Sequence, residues 1–202
     1  MKLNTRYLLL FFGAIIVCGY LHEIGHAVAG WIVGVAVAPT LAKEYVLQPE
    51  LAWNKATWIC LGGVVGTTVA TLSAVLYFWR KPCPEREAIL GGALLPIGLY
   101  SLRFALVGRG HDSFEWQAAQ TALDLPPAGH AIDIFFLGLL ILGFLVWIVC
   151  LHPSLRSLLG LAALGIVGIF LLVGLQVGNN AVFDHMFRVV RTLDVPAGLD
   201  PR

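Results

Sequence analysis

The sequence predicts an all-α, polytopic integral membrane protein: a bundle of about five transmembrane helices forming a single domain over residues 1–202. Three observations carry this. Of the 202 residues 58% are hydrophobic and only 12% charged, about half the charged share of soluble domains, which is roughly 25%. Five stretches each supply the roughly 20 apolar residues that a helix needs to cross a bilayer. The polar residues collect in the connections between them. A net charge of +1 gives no reason to expect nucleic acid or an acidic partner. Cys18, Cys60, Cys83 and Cys150 are scattered and form no CxxC pair. They read as three apolar fillers and one loop thiol, not a disulfide framework or a zinc ribbon.

The first stretch, Tyr7–Ala38, follows Lys2 and Arg6 and superficially resembles a signal peptide. Its apolar run continues past Gly19 through Trp31, too long for a typical signal core, so it is expected to be a retained first helix. It exceeds the length a span requires and should tilt, kink or project beyond the bilayer. The polar stretch "PTLAKEYVLQPELAWNK" leads to the second span, Thr57–Trp79, in which Gly62, Gly63 and Gly66 would permit close backbone approach. "RKPCPEREA" is a tight charged turn before the third span, Ala88–Val107. Arg103, inside that span, either snorkels to the interface or pairs with Asp112 or Glu115.

A longer connection, "VGRGHDSFEWQAAQTALDLPPAGHA", precedes the fourth span, Ile132–Leu151. His130 and Asp133 lie three apart at its start and read as an interfacial beginning, with Asp133 well placed on the helix dipole. His152 and Pro153 make a short turn into the fifth span, Leu155–Val177. Gly178, Asn179 and Asn180 should end that span in a turn, although the two asparagines could alternatively hold an extended peptide backbone. Residues 178–202 then form a polar tail in which Asp184 and His185 are surface residues. The core is expected over about residues 7–120, with additional helices over about 130–177. The densest basic patch, Arg80–Arg86, lies on the same side as Lys2 and Arg6 if the spans alternate, which sets the N-terminus in the cytoplasm.

The chemistry concentrates in "GYLHEIGHAVAGW", where His22, Glu23 and His26 form a complete HExxH. Residues four apart share one helix face, so His22 and His26 can offer two imidazoles to one metal ion. Glu23, beside the first ligand, can take a proton from a water there. The bland alternative is a structural or proton-relay cluster. Ionisable side chains inside a span are costly and usually mark function, and three within five residues compound that cost. A catalytic zinc site normally takes three protein ligands. The third is sought in "GRGHDSFEWQ": Asp112 first, His111 second, with Glu115 as a supporting partner or the ligand itself. A solvated loop at the membrane edge is the plain alternative for these three.

With those residues in view, the chain resembles the site-2 protease family of intramembrane zinc metallopeptidases, in its small, membrane-only bacterial form. The resemblance covers roughly residues 7–120. It rests on the HExxH of His22–His26, the Gly-rich "CLGGVVGTTVATLSAVLYF", and Asp112, which lies 86 residues past His26. It departs from the family where the usual LDG or PDG is replaced by His111-Asp112-Ser113. The resemblance implies a three-helix core and a Zn2+ ion held by His22, His26 and Asp112. It also implies Glu23 as catalytic base, a transmembrane protein substrate, and residence in the bilayer of the bacterial inner membrane. Two other classes compete. A metal transporter is expected to carry polar residues along several spans, and the second, fourth and fifth read as lacking them. A non-catalytic relative that only binds membrane proteins would not need Glu23.

Overall fold

The computed structural model describes residues 4–47, 51–110, 112, 113, 116, 117, 120 and 129–186. Five helices follow one another: α1 (Thr5–Ile32), α2 (Trp53–Arg80), α3 (Pro84–Val107), α4 (Gly129–Leu151) and α5 (Leu155–Met186). All five are long and apolar enough to cross a membrane. Asn4 caps α1, its side chain accepting from the Tyr7 N–H at 2.8 Å. Pro84 opens α3 in the first turn, where its missing N–H costs nothing. Arg6 reaches Glu85 at 3.5 Å, so the starts of α1 and α3 share one end of the bundle.

The first apolar stretch does not stay helical to Ala38. α1 stops at Ile32, Gly34 turns the chain at φ +72°, and a two-stranded antiparallel hairpin follows, β1 (Val37–Pro39) with β2 (Glu44–Val46). The all-α expectation therefore needs this small sheet added. Its cause is local: after Gly34 the alternating "VAVA" suits a strand, and Val35, Val37 and Val46 are buried against Ala27 and Ile59. The Trp31 indole donates to the Val37 carbonyl at 2.9 Å and ties the hairpin to the end of α1.

α1 crosses α2 at very close range. A methyl on Gly25 would overlap the backbone of Gly62, and one on Gly66 would overlap the backbone of Leu21. Small residues at such a crossing let two backbones touch, the usual route to tight helix pairing in lipid. Half of the best spanning window of α2 is buried, against 11% for α5, so α2 is central and α5 peripheral. A cluster of Phe78, Leu90, Leu94 and Trp147 joins α2, α3 and α4 at one level. Tyr7, Phe11, Ile15, Ala88 and Leu164 join α1, α3 and α5 beside it, with Leu161 packed against both clusters. Outward-facing Leu9, Trp58, Leu76, Leu106 and Phe170 leave an apolar periphery suited to acyl chains.

α5 also departs from expectation. It runs through Gly178, Asn179 and Asn180 to Met186 instead of ending there. The extension has a partner: the Tyr45 hydroxyl donates to Asp184 Oδ1 at 2.7 Å, Lys43 Nζ stands 3.7 Å from the same oxygen, and Tyr45 packs on Phe183. Docking on the hairpin overrides the turn signal of Gly178-Asn179-Asn180. Residues 187–202 of the expected tail lie outside the described residues.

Candidate metal centre

His22, Glu23 and His26 lie on one stretch of α1 and all three are buried. His22 is ten residues before the end of α1, about 15 Å along the helix axis. The facing side of α2 makes room for the rings. A methyl at Gly63 would overlap His26 Cε1 and Nε2 and stand 2.8 Å from His22 Cε1. One turn further on, Thr67 Oγ1 is 2.8 Å from His22 Nδ1. The Nδ1–H of His26 donates to the Ile59 carbonyl at 2.7 Å.

The Ile59 carbonyl can only accept and so fixes the His26 tautomer, while Thr67, able to donate or accept, holds the His22 ring in place. With each Nδ1 engaged outward, each Nε2 turns inward, and the two lie 2.9 Å apart. Two lone pairs facing one another at that range repel unless a cation or a proton lies between them.

Asp112 completes the group. α3 passes Pro96 without breaking and ends at Gly108, in the left-handed conformation at φ +80°. The chain then folds back into the bundle. Tyr100 packs its ring 5.8 Å from that of His22, and Asp112, twelve residues later, brings Oδ1 within 3.5 Å of His22 Nε2. The reversal comes at Gly108, and not at Pro96 within the helix. Asp112 is fully buried, and the Cys60 thiol of α2 donates to its carbonyl at 3.2 Å. Ser113 Oγ accepts from the Gly110 N–H at 2.8 Å, the reach-back bond of a capping box. One ligand atom each from His22, His26 and Asp112 falls within 4.8 Å of the others. Two imidazole nitrogens and a carboxylate, buried and oriented by outer bonds, suit a borderline cation such as Zn2+.

His111 and Glu115, the alternative third ligands, lie outside the described residues. Arg103 is exposed on α3, and no ion pair joins it to Asp112 among the described residues. His130 packs on Phe104 and is exposed at the start of α4. Asp133 lies near the start of α4, as expected, but is buried in the bundle, with Oδ1 accepting from the Gly110 N–H. His152 lies in the turn between α4 and α5, as its neighbour Pro153 suggested.

Several residues escaped the sequence reading. Glu44, on β2, brings a carboxylate oxygen into a second cluster with Glu23 and His26, again within 4.8 Å. Nothing in "PTLAKEYVLQ" announces that this segment folds over the site. Thr67 was legible in principle, since Gly63 and Thr67 share one face of α2 at a spacing of four. Buried polar side chains also occur on α2 (Thr67, Thr71), α4 (Asp133) and α5 (Asn179), so those spans are less uniformly apolar than they read.

The arrangement defines a class: a bundle of helices apolar enough for a membrane, carrying a buried His-His-Asp group able to bind a metal ion. No family model, characterised protein or solved structure matches the chain.

Proposed function

We propose that the protein is a zinc-dependent intramembrane endopeptidase. It would hydrolyse peptide bonds in transmembrane or membrane-proximal segments of other proteins, in the manner of the site-2 proteases it resembles. One observation supports this above the rest. His22, His26 and Asp112 converge from segments far apart in the chain, and the carboxylate of Glu23 is buried beside them.

His22 Nε2, His26 Nε2 and an Asp112 oxygen would hold the ion. When bound, Zn2+ supplies Lewis acidity, which makes a water acidic enough to attack near neutral pH and polarises a scissile carbonyl. Glu23 acts as general base on the attacking water and returns the proton to the leaving amine. Thr67 and the Ile59 carbonyl hold the imidazoles in place throughout. The substrate must unwind locally, because a helical peptide buries the bond to be cut in its own hydrogen-bond ladder. In this reading the chain resides in the bacterial inner membrane, and the Arg6 and Arg80–Arg86 end of the bundle faces the cytoplasm.

The transport alternative fits less well. Thr67 is engaged with His22 and Asp133 with Gly110, so these two serve the site and do not line a path, although Thr71 and Asn179 are buried without a hydrogen-bond partner among the described residues. The test uses purified protein reconstituted with a reporter transmembrane segment. Wild type should bind one zinc and cleave the reporter, whereas Glu23→Gln should keep the zinc and lose at least about 100-fold in rate. A Glu23→Gln variant that cleaves at the wild-type rate removes Glu23 from the mechanism. Wild type that binds zinc and cleaves no membrane segment favours a binding or transport role.

A further inference from the structure

Asp133 belongs to α4, a helix that supplies none of the three candidate ligands. A carboxyl near the start of an apolar helix ordinarily faces water, yet this one is buried. Its Oδ1 accepts from the Gly110 N–H at 2.8 Å, and the Ser113 hydroxyl donates to the same carboxyl group. Gly110 and Ser113 lie on either side of Asp112. The Gly110 amide is shared with Ser113 Oγ, also at 2.8 Å, so three groups close a small ring around the turn that carries Asp112. A methyl at Gly110 would overlap Asp133 Oδ1. The other oxygen, Oδ2, has no hydrogen-bond partner among the described residues.

Burying a carboxyl is costly unless its bonds achieve something an apolar side chain would not. What these bonds achieve is to pin the returning segment at the depth of the histidines. Gly108 only reverses the chain; a turn bordered by two glycines is free to swing, and nothing intrinsic to Gly-Arg-Gly fixes where Asp112 stops. We infer that Asp133 is a positioning residue for the metal centre, holding the Gly110–Ser113 turn so that Asp112 meets His22 and His26. The inference rests on the reading of those three residues as a metal site. It extends that site to a fourth helix, joining α4 to a centre otherwise built from α1, α2 and the segment after α3.

The test is zinc affinity of the full-length purified protein, with Co2+ spectra as a second readout. Asp133→Leu should lower zinc affinity at least about tenfold, the range seen when an outer partner of a ligand is lost. It should also move the Co2+ spectrum towards that of Asp112→Asn. Asp133→Asn, whose amide oxygen still accepts from the Gly110 N–H, should stay within about threefold of wild type. Because Asp133 acts through Asp112, adding Asp133→Leu to Asp112→Asn should weaken binding no further. If Asp133→Leu cannot be recovered folded, Gly110→Ala breaks the same contact and should show the same non-additive loss. Undiminished affinity in Asp133→Leu, or an equal loss in the Asp112→Asn background, overturns the inference. Wild type that takes up no zinc instead overturns the metal centre itself, an outcome distinct from either.

Discussion

At the scale of single residues, each imidazole is held by a different kind of partner. His26 bonds a backbone carbonyl, which no substitution removes, while His22 depends on one hydroxyl, that of Thr67. Thr67→Val keeps the shape of the side chain and deletes the hydroxyl that holds His22 Nδ1. Without it the His22 ring is free to change tautomer or rotate. Zinc affinity should then fall by about 10- to 100-fold, and Thr67→Ser should restore most of it. Calorimetric titration with zinc checks both, and equal affinity in Thr67→Val would show that the hydroxyl orients nothing. The HExxH was readable because its spacing matches one helical turn, a property of local sequence. Glu44 was not, and Thr67 and Asp133 could be seen as polar positions without their partners, because those partners depend on which elements stand next to each other.

At the scale of elements, the hairpin and the end of α5 stabilise one another. The sequence showed five apolar stretches, and among the described residues five helices long and apolar enough to cross a membrane lie at nearly the same places. Its misreadings fall where one element docks on another: "VAVAP" became a strand against Ala27 and Ile59, and the asparagine pair stayed helical because Tyr45 and Lys43 hold Asp184. Tyr45→Phe removes the donor to Asp184 and should cost about 1 kcal/mol. Amide exchange across the last turn of α5 should speed up about fivefold, with α1 unaffected. The contact also has a pH signature. Burial, and then the Asp184 carboxylate beside it, push the Tyr45 phenol well above its usual range. The folded state therefore holds this proton more tightly than the unfolded chain. Its contribution is complete below pH ~10 and declines as pH rises above that value. Protection factors near Asp184, corrected for the base-catalysed intrinsic exchange rate, should stay flat from neutral to mildly alkaline pH in wild type and fall only beyond, a fall that Tyr45→Phe should lack. A protection factor that already drops by pH 8 would contradict the protected phenol.

At the scale of the whole molecule, the candidate ligands join parts of the chain far apart in sequence. α1 supplies two of them, and the third arrives only after α2 and α3 have been traversed and the chain has reversed at Gly108. A bound ion would close this loop from His26 to Asp112, so metal occupancy and global stability must be coupled. Free zinc at 100 times its dissociation constant adds about 2.7 kcal/mol to the folded state. For a chain of this size that corresponds to an unfolding midpoint roughly 5–10 °C higher at a fixed scan rate. Chelation should lower the wild-type midpoint by that amount and zinc should restore it. Magnesium should not, because a hard cation gains little from two imidazoles. The double variant His22→Ala/His26→Ala should show the same midpoint with and without chelator, since it retains only one ligand of the three. Differential scanning fluorimetry in detergent measures all of these. A wild-type midpoint indifferent to chelator and zinc would mean that α1 and the Asp112 segment are held together by packing alone, and the buried imidazoles would need another explanation.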